Sequence, residues 1–286
     1  MSKTLYVSDM DGTLLNSSSV LSPFTISLLN ELIVNYGALF TVATARTPAT
    51  VVNLMKDVKA SLPFIVMAGE ALWNNGKACY ESARILDESV VSQLLAVFHD
   101  FDIHPFVYRK HDNHIMVYHH PALTAAEHAF VDPRVTTPLK QLTLNNNLHG
   151  EEQEDVMLIF AMGTFKRLRL LSDEITSRGI PCFYNCYHDI FNEELGFLDI
   201  YKENTTKAAA VKHLTRQLQV DRVVAFGDNL NDLPMMREAD LSVAVSNAFE
   251  EVKQQADLVI GCNDTDAVPR WIAQDMGLDV NQLLRK

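Results

Sequence analysis

Residues 4–15 read TLYVSDMDGTLL. The apolar run Leu5–Tyr6–Val7 suits a buried strand, and it ends on Asp9 and Asp11, with Gly12 and Thr13 directly after. Alternate side chains of an extended chain point the same way, so the two carboxylates start on one side of the strand. Gly12 then permits a sharp turn. Two close carboxylates repel, which raises one pKa unless a cation lies between them. A hard divalent ion with oxygen ligands would serve.

Working outward, short apolar strands alternate with helical segments at both ends of the chain. SPFTISLLNELIVNYG is the clearest helix: Ser22 suits the N-cap, Pro23 the first turn and Gly37 the stop. ALFTVA and FIVMA read as strands, with a helix beginning near Pro48 between them. Near the other end, RVVAF, LSVAV and DLVI read as strands with helices between. None shows a polar face, as expected for a parallel sheet covered on both sides. The middle differs. It holds most of the histidines, a hairpin-like FVYRKHDNHIMVY and the polar run QLTLNNNLHGEEQED. The pattern predicts an α/β fold: a Rossmann-like, doubly wound parallel-sheet core formed by 1–82 and 190–286, with 83–189 as an inserted α+β domain.

Composition narrows the function. Among 286 residues, 24 Lys and Arg face 36 Asp and Glu, a net charge of −12. A nucleic-acid surface would be basic, so no nucleic-acid partner is expected. No apolar run reaches the roughly 20 residues of a membrane helix, and no signal peptide opens the chain, so no membrane partner and a cytoplasmic protein are expected. The four cysteines, Cys79, Cys182, Cys186 and Cys262, form no metal or disulfide pattern. Oligomeric state stays open.

Ligands of open parallel sheets bind beyond the carboxyl ends of the strands. Those ends carry Asp9 and Asp11, Thr44 and Arg46, and the segment Asp228, Asn229, Asn231, Asp232. Each alone could be a turn or helix cap; together they point to a site. Lys207 opens a helix, and a helix N-terminus with an ammonium suits a phosphate. The cluster His111, His114, His119 and His120 lacks metal-ligand spacing. An EF-hand counted from Asp9 would need Gly and Glu where Leu14 and Val20 stand.

In chain order, DMDGT, a strand ending in VATAR, Lys207 and GDNLND resemble the four motifs of the haloacid-dehalogenase-like superfamily. ATAR, GDNLND and SVAVSNAFEEVKQQAD together resemble its Cof-type hydrolases, whose type-two cap lies between the second and third motifs. The resemblance implies a Mg²⁺-dependent phosphatase of small phosphorylated metabolites, sugar phosphates foremost. Asp9 would be the nucleophile and Asp11 the general acid and then base. Asp9, the main-chain carbonyl of Asp11, and Asp228 would hold Mg²⁺. Thr44, Lys207, Asn231 and main-chain amides near Met10 and Ala45 would bind the phosphoryl group, with Asp232 and Arg46 supporting. Arg109, Tyr108, Asn185 and His188 are the candidate substrate contacts in the inserted domain. Phosphotransfer to a second sugar and a non-catalytic sugar-phosphate sensor are the alternatives. A DxD glycosyltransferase would need neither GDNLND nor Lys207. One departure concerns MAGEA: relatives carry Asn-Gly-Ala there, whereas this chain has Ala68, Gly69 and Glu70.

Overall fold

The computed structural model describes residues 3–131, 136–150, 154–189 and 192–283. They form two compact units: 1–82 together with 206–286, and 83–205. Residues 190–286 were expected in the core, but strand Leu195–Tyr201 pairs on both of its sides within the second unit; residue 190 itself lies outside the described residues. Residues 192–205 therefore belong to the insertion rather than to the core.

The first unit is built on a five-stranded parallel sheet in the order Leu258–Ile260, Leu241–Val245, Arg222–Gly227, Thr4–Ser8, Leu39–Val42. Leu5, Val7, Val42, Val224, Phe226, Val243 and Val245 are wholly buried, as covered parallel strands require. The edge strand departs from the expected pattern: Leu258 and Val259 are exposed. An edge lacks a neighbour on one side, which an apolar run by itself cannot reveal. A bridge from Ala43 to Ile65 continues the sheet into strand Phe64–Val66. That strand turns back antiparallel into Ala71–Asn74, and Cys79–Ala83 completes this small sheet.

The helices form for the reasons legible in the chain. Ser22 Oγ accepts from the Thr25 amide at 2.9 Å, Pro23 follows, and helix Pro23–Tyr36 stops at left-handed Gly37. It buries Leu28, Leu29 and Leu32, each contributing about 1.5–3 kcal/mol. Helix Lys207–Leu218 is capped by Thr206, whose Oγ1 accepts from the Ala209 amide at 3.1 Å.

The turn after Phe64–Val66 places three successive residues at positive φ: Met67 (51°), Ala68 (56°) and Gly69 (100°). Left-handed backbone is costly for side-chain-bearing residues and persists only where the surroundings enforce it. Here they do. Met67 N donates to Arg46 O at 2.9 Å and Ala68 N to Thr44 O at 2.9 Å, so the turn grips the segment that carries Thr44 and Arg46. On its other side, a Cβ at Gly69 would lie 2.3 Å from Thr206 O. The MAGEA stretch thus joins two motif segments through its backbone.

The second unit is a seven-stranded sheet in the order Phe183–His188, Leu195–Tyr201, Asp155–Thr164, Phe106–His111, His114–His119, Lys140–Leu144, Thr136–Thr137. The expected hairpin is present, with Arg109 opposite Met116 and His111 opposite His114. Helices Glu88–Asp100 and Phe165–Ser177 cover one face, where Leu94, Val97, Leu168 and Leu171 pack on Val107, Ile159, Leu198 and Ile200. Among the described residues, no helix is long and apolar enough to cross a membrane.

Gly69→Ala adds a methyl group against a backbone carbonyl at positive φ, and should destabilise the protein by about 2 kcal/mol or more in urea unfolding. A loss below about 0.5 kcal/mol would mean that the Thr206 contact yields freely.

Candidate active site

Three strands of the first unit end on the groups singled out in the sequence. Strand Thr4–Ser8 runs into Asp9, whose amide donates to Phe226 O of the neighbouring strand at 3.0 Å. Past Asp9 the chain turns through Met10–Leu14 with Gly12 at φ 78°. Gly12 is needed on a second count: a Cβ there would lie 2.5 Å from Asp228 Oδ2. Asn247 Nδ2 fixes the same turn by donating to Gly12 O at 2.7 Å.

Strand Arg222–Gly227 leads into Asp228, which accepts from Thr13 Oγ1 at 2.7 Å. The following turn is closed by Asp232, whose Oδ2 accepts from the amides of Asp228 and Asn229, both at 3.2 Å. Lys207, in the first turn of its helix, donates to Asp232 Oδ1 at 2.7 Å and to Asp9 Oδ1. Asp9, Lys207 and Asp232 are all buried.

Three carboxylates, Asp9, Asp228 and Asp232, each offer an oxygen to a group whose ligand atoms lie within 4.8 Å of one another. Lys207 supplies one positive charge to these three. Burial and the adjacent carboxylates push Asp9 up to about 8, against the opposing pull of Lys207. Burial likewise lifts Asp228 to about 6, although its bond from Thr13 acts the other way. For Lys207, burial works against the charge, but Asp232 and Asp9 outweigh it and hold the ammonium above its ordinary range. An all-oxygen donor set with excess negative charge fits a hard divalent cation.

Asp11 is placed differently from Asp9. Its side chain is 51% exposed and takes both Arg46 donors, Nε to Oδ2 at 2.7 Å and Nη2 to Oδ1 at 2.5 Å. This is a bidentate pair, which the sequence did not suggest. The bond to Asp11 is also the main reason that the Arg46 charge is reinforced. Thr44 is buried at the end of its strand and its Oγ1 accepts from the Arg46 amide at 3.1 Å. Met10 is buried, Ala45 is exposed, and Asn231 is exposed in the Leu230–Asp232 turn.

The two main substrate candidates of the second unit differ: Arg109 is buried and His188 is exposed. Arg109 is 1% exposed on the helix-covered face, where it donates to Glu88 Oε1 at 3.1 Å and to Glu154 O at 3.0 Å. It ties helix Glu88–Asp100 to the sheet. His188 ends its strand with its ring edge-on to Phe165, the first residue of the other covering helix. Tyr108, one position from Arg109, and Asn185, three from His188, lie on the opposite face of the sheet.

Residues 6–272 match the family described as haloacid dehalogenase-like hydrolase. The pyridoxal phosphate phosphatase YbhA of Escherichia coli is 25% identical over 92% of this chain and 95% of its own length. The 5-amino-6-(5-phospho-D-ribitylamino)uracil phosphatase YitU of Bacillus subtilis is 24% identical over 94% and 96%. Among solved structures, TM0651 of Thermotoga maritima superposes with a TM-score of 0.78 at 20% identity, covering 96% of this chain and 97% of that one. The subclass IIB sugar phosphatase BT4131 superposes at 0.73 with 20% identity, covering 96% and 99%. These structures share the fold: a parallel-sheet core with an additional sheet domain. The chain belongs to the haloacid dehalogenase-like hydrolases and is an enzyme, with phosphatases among its relatives.

Proposed function

We propose that the protein is a Mg²⁺-dependent phosphatase that hydrolyses small phosphate monoesters through an aspartyl phosphate on Asp9. The observation that carries this reading is the buried cluster in which Asp9 shares Lys207 with Asp232 and lies within ligand distance of Asp228. Phosphate monoesters are among the slowest esters to hydrolyse, because the anion repels nucleophiles. A site for them must gather positive charge around an acidic nucleophile.

In the reaction proposed, Lys207 takes Asp9 Oδ1 and leaves Oδ2 to attack phosphorus. Asp11 gives a proton to the departing ester oxygen, then takes one from the water that hydrolyses the acyl phosphate. Both Asp11 oxygens are engaged by Arg46, so these proton transfers require that pair to open. Lys207, Thr44, Asn231 and the amides near Met10 and Ala45 would hold the phosphoryl oxygens. Mg²⁺, held by Asp9, the Asp11 carbonyl and Asp228 with Asp232 beside them, would supply charge neutralisation and orientation when bound.

The activities named for similar proteins cover a sugar phosphate, a pyridoxal phosphate and a ribitylaminouracil phosphate. They support a small phosphorylated metabolite, with the expected sugar as one of three chemistries. The second unit would act as the specificity domain. The four free cysteines suit a reducing compartment such as the cytoplasm.

Asp9→Asn should cut kcat by about 10³-fold or more while leaving the urea midpoint near wild type, measured as phosphate release from a panel of phosphorylated metabolites with Mg²⁺. Activity retained in this variant, or in full after chelation and dialysis, would overturn the mechanism. A pH test follows from the raised carboxyls. Folded Asp9 and Asp228 bind protons more tightly than the unfolded chain does, so the chelated protein should lose stability as pH rises from about 4 towards about 8. A divalent cation replaces those protons. The gain in Tm on adding Mg²⁺ should therefore be larger near pH 8 than below about pH 6, read by thermal unfolding. An equal or reversed gain would count against the cation site.

A further inference from the structure

The strands that end the two sheets are unequal. The core sheet ends on one side at Leu258–Ile260, three residues, and the second sheet ends on one side at Thr136–Thr137, two residues. The other end of the second sheet is Phe183–His188, six residues paired with Leu195–Tyr201 in unbroken register. Short strands, prolines, charges and bulges are the usual protection of a sheet edge. FYNCYH contains no proline, lysine, arginine or acid.

The free side of this strand is ready to pair. The Asp189 amide donates to Leu195 O at 2.8 Å, one step beyond the pair His188–Gly196. Backbone groups alternate along an antiparallel ladder. Those of Phe183, Asn185 and Tyr187 therefore bond inward, and those of Tyr184, Cys186 and His188 point to the open side. The face turned away from the two covering helices is aromatic, with Tyr187 5.4 Å from Phe197 and Phe197 6.2 Å from Phe160. Phe183 and Tyr187 are nonetheless 37% and 40% exposed, with Asn185 exposed between them.

Helix Phe165–Ser177 runs beside the same edge on the other face, where Thr176 Oγ1 lies 2.7 Å from the Tyr184 hydroxyl. Its Arg169 and Asp173 are exposed one turn apart, and Leu170 is exposed as well. Both charges reach Cys186. Burial raises that thiol, Arg169 and a bond with Ser172 oppose the rise, and Asp173 adds to it. A positive and a negative group thus stand on one helix, level with the centre of the strand.

We propose that this edge is the interface of a homodimer, in which Phe183–His188 pairs antiparallel with the same strand of a second copy about a two-fold axis at Asn185. A two-fold interface places one surface on itself, so the surface must complement itself. This one does so in three ways. The outward backbone groups of Tyr184 meet those of Cys186 of the second copy. Phe183 stands opposite Tyr187 of the second copy, and the symmetry repeats the pair, so the exposed rings cover one another. The axis also reverses the second helix, which turns Arg169 of one copy towards Asp173 of the other. A pairing of this size lies near the lower limit of stable interfaces, about 1,000 Å², so association at micromolar concentration is expected. The inference goes beyond the phosphatase reading and does not depend on it.

Sedimentation velocity of the full chain between about 1 and about 200 µM should show a reversible monomer–dimer equilibrium. Asn185→Lys places two ammonium groups at the axis and should weaken association about tenfold or more. Arg169→Glu and Asp173→Arg should each weaken it, and the double variant should restore it. Asn185→Cys should cross-link into a dimer under mild oxidation, whereas the wild type, with Cys182 and Cys186 in place, should not. These three positions are exposed, so each variant should keep the wild-type urea midpoint. A monomer at every concentration overturns the inference. A dimer that Asn185→Lys does not weaken and Asn185→Cys does not cross-link overturns it too, because association then uses another surface.

Discussion

The ammonium of Lys207 is the interaction on which the core site depends. It joins three parts of the chain far apart in sequence: the end of strand Thr4–Ser8, the first turn of helix Lys207–Leu218 and the turn closed by Asp232. Removing one partner of a buried ion pair costs about 3–5 kcal/mol, because the remaining charge has no compensation. In this protein the remainder would be worse than a single charge, since Asp228 is adjacent and also acidic. The surrounding backbone is arranged to keep this ammonium in place. Thr206 caps its helix, and Gly69 lets a strained turn lie against that cap. The same strained turn holds Thr44 and Arg46 by two backbone hydrogen bonds. One electrostatic demand therefore accounts for a helix cap, a glycine and an unusual run of positive φ.

This is also why the core was legible in the chain. Parallel strands covered on both sides are continuous apolar runs, and each announces its end by the first polar residue. Asp9, Thr44 and Asp228 could be placed at strand ends without any contact map. What the chain did not reveal was direction. Asp9 and Asp11 are separated by one residue and read as equivalent, but the turn at Gly12 buries the first and sends the second outward to Arg46. No periodicity encodes that divergence. It follows from a backbone angle and from a guanidinium 35 residues away.

The second unit was harder to read for a reason that lies in sheets themselves. Its strands pair mostly antiparallel over long separations, and a single position decides which face a side chain joins. Arg109 and Tyr108 are neighbours in sequence, but Arg109 is locked against Glu88 beneath a helix while Tyr108 lies on the aromatic face. His188 and Tyr187 divide in the same way. Of the four residues singled out in the sequence, Tyr108 and Asn185 lie on one face of the sheet and Arg109 and His188 on the other. Strand Leu195–Tyr201, which carries Asp199, lies within the 190–286 expected for the core. Its pairing with two cap strands is a long-range fact.

The unequal settings of Asp9 and Asp11 give a physical basis for two different roles. Acid–base assignments follow from environments that push similar groups apart. Asp9 is buried, bonded by an ammonium and adjacent to two carboxylates, so the surroundings of its oxygens are fixed and dry. A fixed, poorly hydrated carboxylate is suited to attack, because little solvent must be displaced from it. Asp11 is half exposed and held by a side chain that can itself move. A group that must give a proton in one step and take one in the next has to exchange partners, and a bond at the surface can be exchanged at small cost. Burial thus favours Asp9 as the nucleophile, and exposure favours Asp11 as the group that handles protons. Arg46 compensates the exposed carboxylate with a bidentate pair, so Asp11 has its own cation and does not share Lys207 with Asp9 and Asp232.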